Sequence, residues 1–189
     1  MIKIHQIKPQ RTCDENHDNY NKYKEPLRAD FNKRCGYCDD SDFYMGGKRG
    51  FQIDHFKPQK HFVELETVYS NLVYACPFCN RAKWDKWEDE KGFIDPCEDE
   101  YDEHLYRNAQ GQICSKTPQG NFIHKELKLN LKRHEFIWII EKLRQQLAEL
   151  NKFIEELGEG HELELESLRH FRNIHNQVQN YVNLYKEEI

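Results

Sequence analysis

No stretch of this 189-residue chain is apolar enough to span a bilayer. Phe136 to Ile140 is as long as an uninterrupted apolar run gets, against roughly 20 residues for a membrane helix. The segment Met1-Ile-Lys-Ile-His-Gln6 lacks the apolar region of a secretory signal, so a cytoplasmic protein without a membrane partner is expected. Internal repeats and low-complexity segments are missing too, which leaves no repeat architecture to consider. Apolar residues are scarce: 38% of the chain is hydrophobic and 32% charged, so the core is thin for the length. In such a setting a structural metal supplies much of the folding free energy.

Positive charge is in deficit overall, at a net of −5, but the deficit is local. Residues 1–84 hold 14 Lys/Arg against 11 Asp/Glu, whereas residues 85–103 hold 2 against 10. Phosphate binding follows local charge, so the acidic total does not exclude a nucleic-acid partner.

What is present is cysteine in pairs. Cys35-Gly-Tyr-Cys38 and Cys76-Pro-Phe-Cys79 have the two-residue spacing with which one turn grips a metal, and four thiolates suit a closed structural Zn²⁺ site. Cys13, Cys97 and Cys114 stand at no such spacing and read as free thiols. No βαβ pattern surrounds either pair, which argues against a thioredoxin-like redox site. Between the pairs lies Asp54-His55, and the second pair runs straight into Asn80. A carboxylate, an imidazole and an amide oxygen are what a metal-assisted hydrolase needs. Asp54 and Asn80 together suit a hard divalent ion such as Mg²⁺ or Mn²⁺, which keeps several waters and takes few protein ligands. His55 is the candidate general base, since histidine is largely neutral near pH 7.

The expected fold class is α+β. Pro26 suits a first helical position, with Leu27 and Phe31 sharing a face after it. Gly46 to Gly50 reads as a hairpin turn. Phe51–His55 alternates like a strand, and Asn71–Cys76 is a second one rich in β-formers. A short helix is expected from Asn80 to about Trp87, with Asn80 and Lys83 on one face and Trp84 and Trp87 packing beneath. The acidic run 85–103 reads as a solvated loop, His61 and His104 as exposed, and Asn108–Gln112 as a hairpin. From about residue 124 the period changes. Ile140, Leu143, Leu147, Leu150, Ile154 and Leu157 form a coiled-coil-type seam, Gly158-Glu159-Gly160 ends it, and Leu168, Phe171, Ile174, Val178, Tyr181 and Tyr185 form a second apolar stripe. The division expected is a domain at 1–123 with an irregular arm and an acidic extension, then an antiparallel helical hairpin at 124–189.

Residues 35–83 resemble the HNH endonuclease motif in its four-cysteine zinc variant, which implies a ββα-metal core. A wider likeness is to the HNH subunit of Septu anti-phage systems and to retron-associated HNH proteins. It is carried by Lys24-x-x-Leu27-Arg28-x-x-Phe31, by His55-Phe-Lys57-Pro58-Gln59 and by Glu126-Leu-Lys-Leu-Asn130-Leu. Gln59 departs from the usual lysine there, and Asn80 stands where many relatives carry a second histidine. The resemblance implies DNA cleavage under the control of a defence-system ATPase subunit, with the helical hairpin as docking element. It gives Asn71 the role of steadying the loop that holds His55 and of orienting its ring. Lys57, Arg81 and Lys83 are expected at the nucleic acid. Two alternatives stand beside this reading: a zinc-organised nucleic-acid-binding or scaffold module without turnover, and an HNH nuclease acting on RNA.

Overall fold

The computed structural model describes residues 1–89, 92–158 and 160–188. Glu90 and Lys91 of the acidic run and Glu159 of the glycine turn lie outside them. The chain divides into two compact units, residues 1–134 and 135–189. The boundary expected after residue 123 falls inside a helix of the first unit.

In that first unit the arm enters through a 3₁₀ turn at Tyr20–Tyr23 and helix α1, Lys24–Asp30. Leu27 and Phe31 are buried as their spacing requires, while Pro26 sits third in the helix rather than first. Two short 3₁₀ turns, Asp42–Met45 and Gly47–Arg49, replace the hairpin expected around Gly46. Strands β1, Gln52–His55, and β2, Leu72–Ala75, pair antiparallel with His55 opposite Leu72 and Gln52 opposite Ala75.

Helix α2, Pro77–Lys83, begins on the second cysteine pair. Cys76 is extended, its Sγ accepts the Cys79 N–H, and Pro77 fills the first helical position, where a missing N–H costs nothing. The helix therefore starts three residues before Asn80 and stops at Trp84, three short of the expected end.

Helix α3, Tyr101–His104, leads into a hairpin of β3, Leu105–Arg107, and β4, Ile113–Ser115, and then α4, Pro118–Glu126. The acidic run is more than a solvated loop. It buries Phe93, Ile94 and Tyr101, and its Asp95 pairs with Arg11 at 2.9 Å. His104 is half-buried, with Nδ1 2.6 Å from the Thr117 hydroxyl. One apolar cluster runs from Ile4 to Leu129 and has all four paired cysteines inside it.

Helices α5, Lys132–Leu157, and α6, Glu164–Glu187, make up most of the chain's remaining length. Phe136, early in α5, meets Tyr181, late in α6, while Leu150 and His170 line one shared groove, so the helices run in opposite directions. The α5 seam is the half-buried set Leu143, Leu147, Leu150, Ile154 and Leu157 beyond the buried Ile140. On α6 the register differs by one residue at the start: Ser167 is buried and Leu168 exposed. No helix among the described residues is long and apolar enough to cross a membrane.

Candidate metal and active site

The two cysteine turns meet back to back. Cys35, Cys38, Cys76 and Cys79 are buried with their sulfurs within 4.8 Å of one another, Cys38 and Cys76 at 3.9 Å. Zinc–sulfur bonds of 2.3 Å in a tetrahedron put sulfurs about 3.8 Å apart, so the cluster fits one zinc ion with no position left for water. The first turn closes through Cys35 N–H to Asp40 O at 3.0 Å, and is tied to β2 through Gly36 N–H to Tyr74 O at 2.8 Å.

Charge makes the same case. Burial pushes thiol pKa values up; even so, contacts with the other three thiols hold Cys35 well below the usual thiol range, while Cys38 and Cys79 are driven well above it.

Arg107, almost wholly buried, spans the base of the cluster. Its guanidinium donates to the carbonyls of Cys38 at 2.5 Å, Gly111 at 2.7 Å and His134 at 3.3 Å. His134 Nδ1 lies 2.7 Å from the buried Asp40 carboxylate. Sequence reasoning found none of these three. Arg107 and His134 sit far outside the cysteine spacing, and only the fold brings them to it.

The four-cysteine cluster joins the end of β2 to the start of α2, and these bring the chemistry together. His55, Asp54 and Asn80 line one open pocket of about 410 Å³, with Gln52, Arg81 and Trp84 among its walls. His55 is fixed on one side only. Its Nε2 is 2.9 Å from the Glu66 carbonyl, the edge of the Tyr20 ring packs against the imidazole at 4.8 Å, and Nδ1 has no hydrogen-bond partner among the described residues. The carbonyl fixes Nε2 as the protonated nitrogen and leaves the Nδ1 lone pair for a proton. Asn71 does not orient this ring. Its amide bridges Lys57 N–H at 2.8 Å, Lys57 O at 3.1 Å and Leu65 O at 3.3 Å, stitching the 57–65 loop onto the start of β2.

Asp54 is less free than the sequence suggests. Its Oδ2 accepts from the Tyr37 hydroxyl and pairs with Lys83 Nζ at 3.0 Å, while Oδ1 has only the longer Lys83 contact at 3.3 Å. A carboxylate has about four lone-pair sites, so Asp54 can offer a cation one oxygen at most. Burial raises its carboxyl pKa, against the opposing pull of Lys83 and Tyr37.

Asn80 donates from Nδ2 to Gln52 at 2.6 Å, which leaves its Oδ1 as the free acceptor. The donor set of one carboxylate oxygen and one amide oxygen fits a hard divalent cation that retains water.

The three expected nucleic-acid contacts separate. Arg81 is exposed on the pocket wall. Lys57 lies over the Phe62 and Trp87 rings at 5.5 and 5.8 Å. Lys83 is fully buried, bound to Asp54 and to the His55 carbonyl at 2.7 Å, and reaches no phosphate. Its helix position predicts exposure, but α2 ends right after it and turns its ammonium inward to the buried carboxylate.

Among curated proteins and solved structures nothing matches the chain. The model of the HNH endonuclease family matches residues 35–86, the stretch that runs from the first paired cysteine through β1, β2 and α2 and holds His55, Asp54 and Asn80.

Proposed function

We propose that the protein is a metal-dependent endonuclease that hydrolyses phosphodiester bonds in DNA. The observation that carries this reading is the pocket itself: an imidazole with one nitrogen tied down and the other open, beside an amide oxygen and a carboxylate, on a scaffold held by four cysteines. Asn80 and Asp54 would hold a divalent ion, which when bound would supply charge neutralisation at the scissile phosphate and the leaving oxygen. His55 Nδ1 takes the proton from the attacking water, and the Glu66 carbonyl stabilises the imidazolium that results. Gln52 holds the Asn80 amide by its nitrogen, which leaves the oxygen free to hold such an ion. Arg81 meets a non-bridging phosphate oxygen. The sulfur-bound zinc is structural, because four cysteines close its coordination.

A cytoplasmic anti-phage role beside an ATPase partner, with α5 and α6 as docking element, rests on the sequence resemblance of Lys24–Phe31, His55–Gln59 and residues 126–131 alone. The test is a cleavage assay on DNA and RNA with Mg²⁺, Mn²⁺ and Ni²⁺ added singly, with and without the neighbouring operon's protein. Divalent-dependent DNA cleavage is expected. Asn80→Ala should raise the metal concentration needed without releasing zinc. Binding to DNA with no cleavage under any of the three ions would favour the scaffold reading instead.

A further inference from the structure

Trp84 ends α2 in a conformation that large residues avoid. Its backbone sits at φ 52° and ψ −129° while its N–H closes the last helical turn onto Asn80 O at 2.9 Å. Glycine makes that turn without steric penalty; a residue with a Cβ does not. The penalty has no return in packing. Trp84 is 71% exposed, and its indole makes no hydrogen bond or ring contact among the described residues. Trp87, three residues on, behaves in the ordinary way and packs against Phe56 and Phe62. Backbone strain without structural compensation is characteristic of functional sites, and Trp84 stands on the wall of the pocket that holds His55, Asn80 and Arg81.

We propose that Trp84 is a stacking platform for an unpaired nucleobase beside the scissile phosphate, so that the site acts on single-stranded or locally unpaired nucleic acid. The inference rests on the nuclease reading above and names its substrate class. An indole plane needs the face of a base, and in a duplex those faces are covered by neighbouring pairs, with only edges showing in the grooves. A single strand offers its faces to aromatic side chains and its phosphates to cations. Here Arg81 is an exposed cation on the same wall, and Lys60, also exposed there, pairs with Asp85 at 2.6 Å.

The test uses full-length zinc-loaded His55→Ala protein, which binds without turning over, and a labelled oligothymidine and a hairpin duplex as probes, followed by anisotropy at fixed salt. The protein with His55 intact and no added divalent ion serves as a second background. Single strand should bind more tightly than duplex. Trp84→Ala should weaken the single-strand complex by roughly 5- to 150-fold, the range of one lost stacking contact, and change the duplex complex little. Trp84→Gly should weaken it as much while raising the melting temperature, because glycine relieves the backbone. Unchanged single-strand affinity in both variants overturns the proposal, as does equal weakening toward both probes. So does a Gly variant that melts lower than its parent, the result expected if Trp84 were a structural residue or a protein-docking one. Because these titrations need no turnover, cleavage by the unmodified protein decides the earlier reading and these decide this one.

Discussion

At Gly36 the space a side chain needs is already filled: a Cβ there would lie 2.7 Å from both Phe31 and Val73. The first cysteine turn can lie against β2 only because that atom is missing. Gly36→Ala should cost about 1–3 kcal/mol, as overpacking does, with zinc bound less tightly; urea titration and a zinc competition assay read the two effects. Lys83 poses the opposite problem, a buried charge whose partner is also buried. Lys83→Met leaves Asp54 uncompensated and should destabilise by about 3–5 kcal/mol. Lys83→Met with Asp54→Asn should recover much of that in folding stability while cleavage stays lost. Were the single variant as stable as its parent, the ion pair would not be what holds β1 to α2.

His5 adds a pH dependence. Burial lowers its pKa against the pull of the Gly36 carbonyl, 2.7 Å from Nε2. In the unfolded chain a histidine takes a proton near pH 6.5, and in the fold this one resists. Its contribution is therefore complete above about pH 6.5 and lost on acidification below it. His5→Gln should flatten the slope of unfolding free energy in that range, and an unaltered slope would show that other groups set it.

At the scale of elements, much of the first unit was legible. Paired cysteines, alternation in 51–55 and β-formers in 71–76 located both turns and both strands within a residue or so, because each is set by local pattern. The ends of α2 were not, because its start depends on Cys76 serving as cap and its stop on a positive φ at a tryptophan. Burial of Lys83 and engagement of Asp54 by Tyr37 depend on contacts across the sheet, which no spacing encodes. The same holds for Arg107 and His134. The loop between β1 and β2 illustrates how an element supports chemistry at a distance. Asn71 stitches it down, and the loop carries the Glu66 carbonyl that aligns His55. Asn71→Ala should lower kcat by about a hundredfold, the cost of a small misplacement, with KM less affected and hydrogen exchange faster across residues 57–68. A change in KM alone would mean that the loop binds substrate rather than aligning the base.

At the scale of the molecule, the first unit is built around its four clustered cysteines. They sit inside the main apolar cluster, where four thiolates would repel one another unless a cation neutralised them. Chelation should therefore abolish the near-ultraviolet circular dichroism of residues 1–134, while much of the helical signal from α5 and α6 persists. Retention of both signals in zinc-free protein would show that the fold does not need the metal.

The most direct measurement compares cleavage of a nucleic-acid substrate under Mg²⁺ or Mn²⁺ by the native chain and by His55→Ala, with zinc content and circular dichroism recorded on both. Removal of the imidazole should slow cleavage by roughly 10²- to 10⁴-fold, the span of general-base contributions, while one sulfur-bound zinc per chain and an unchanged spectrum remain. Equal cleavage by the two proteins would contradict the assignment of the proton acceptor and of the pocket built around it.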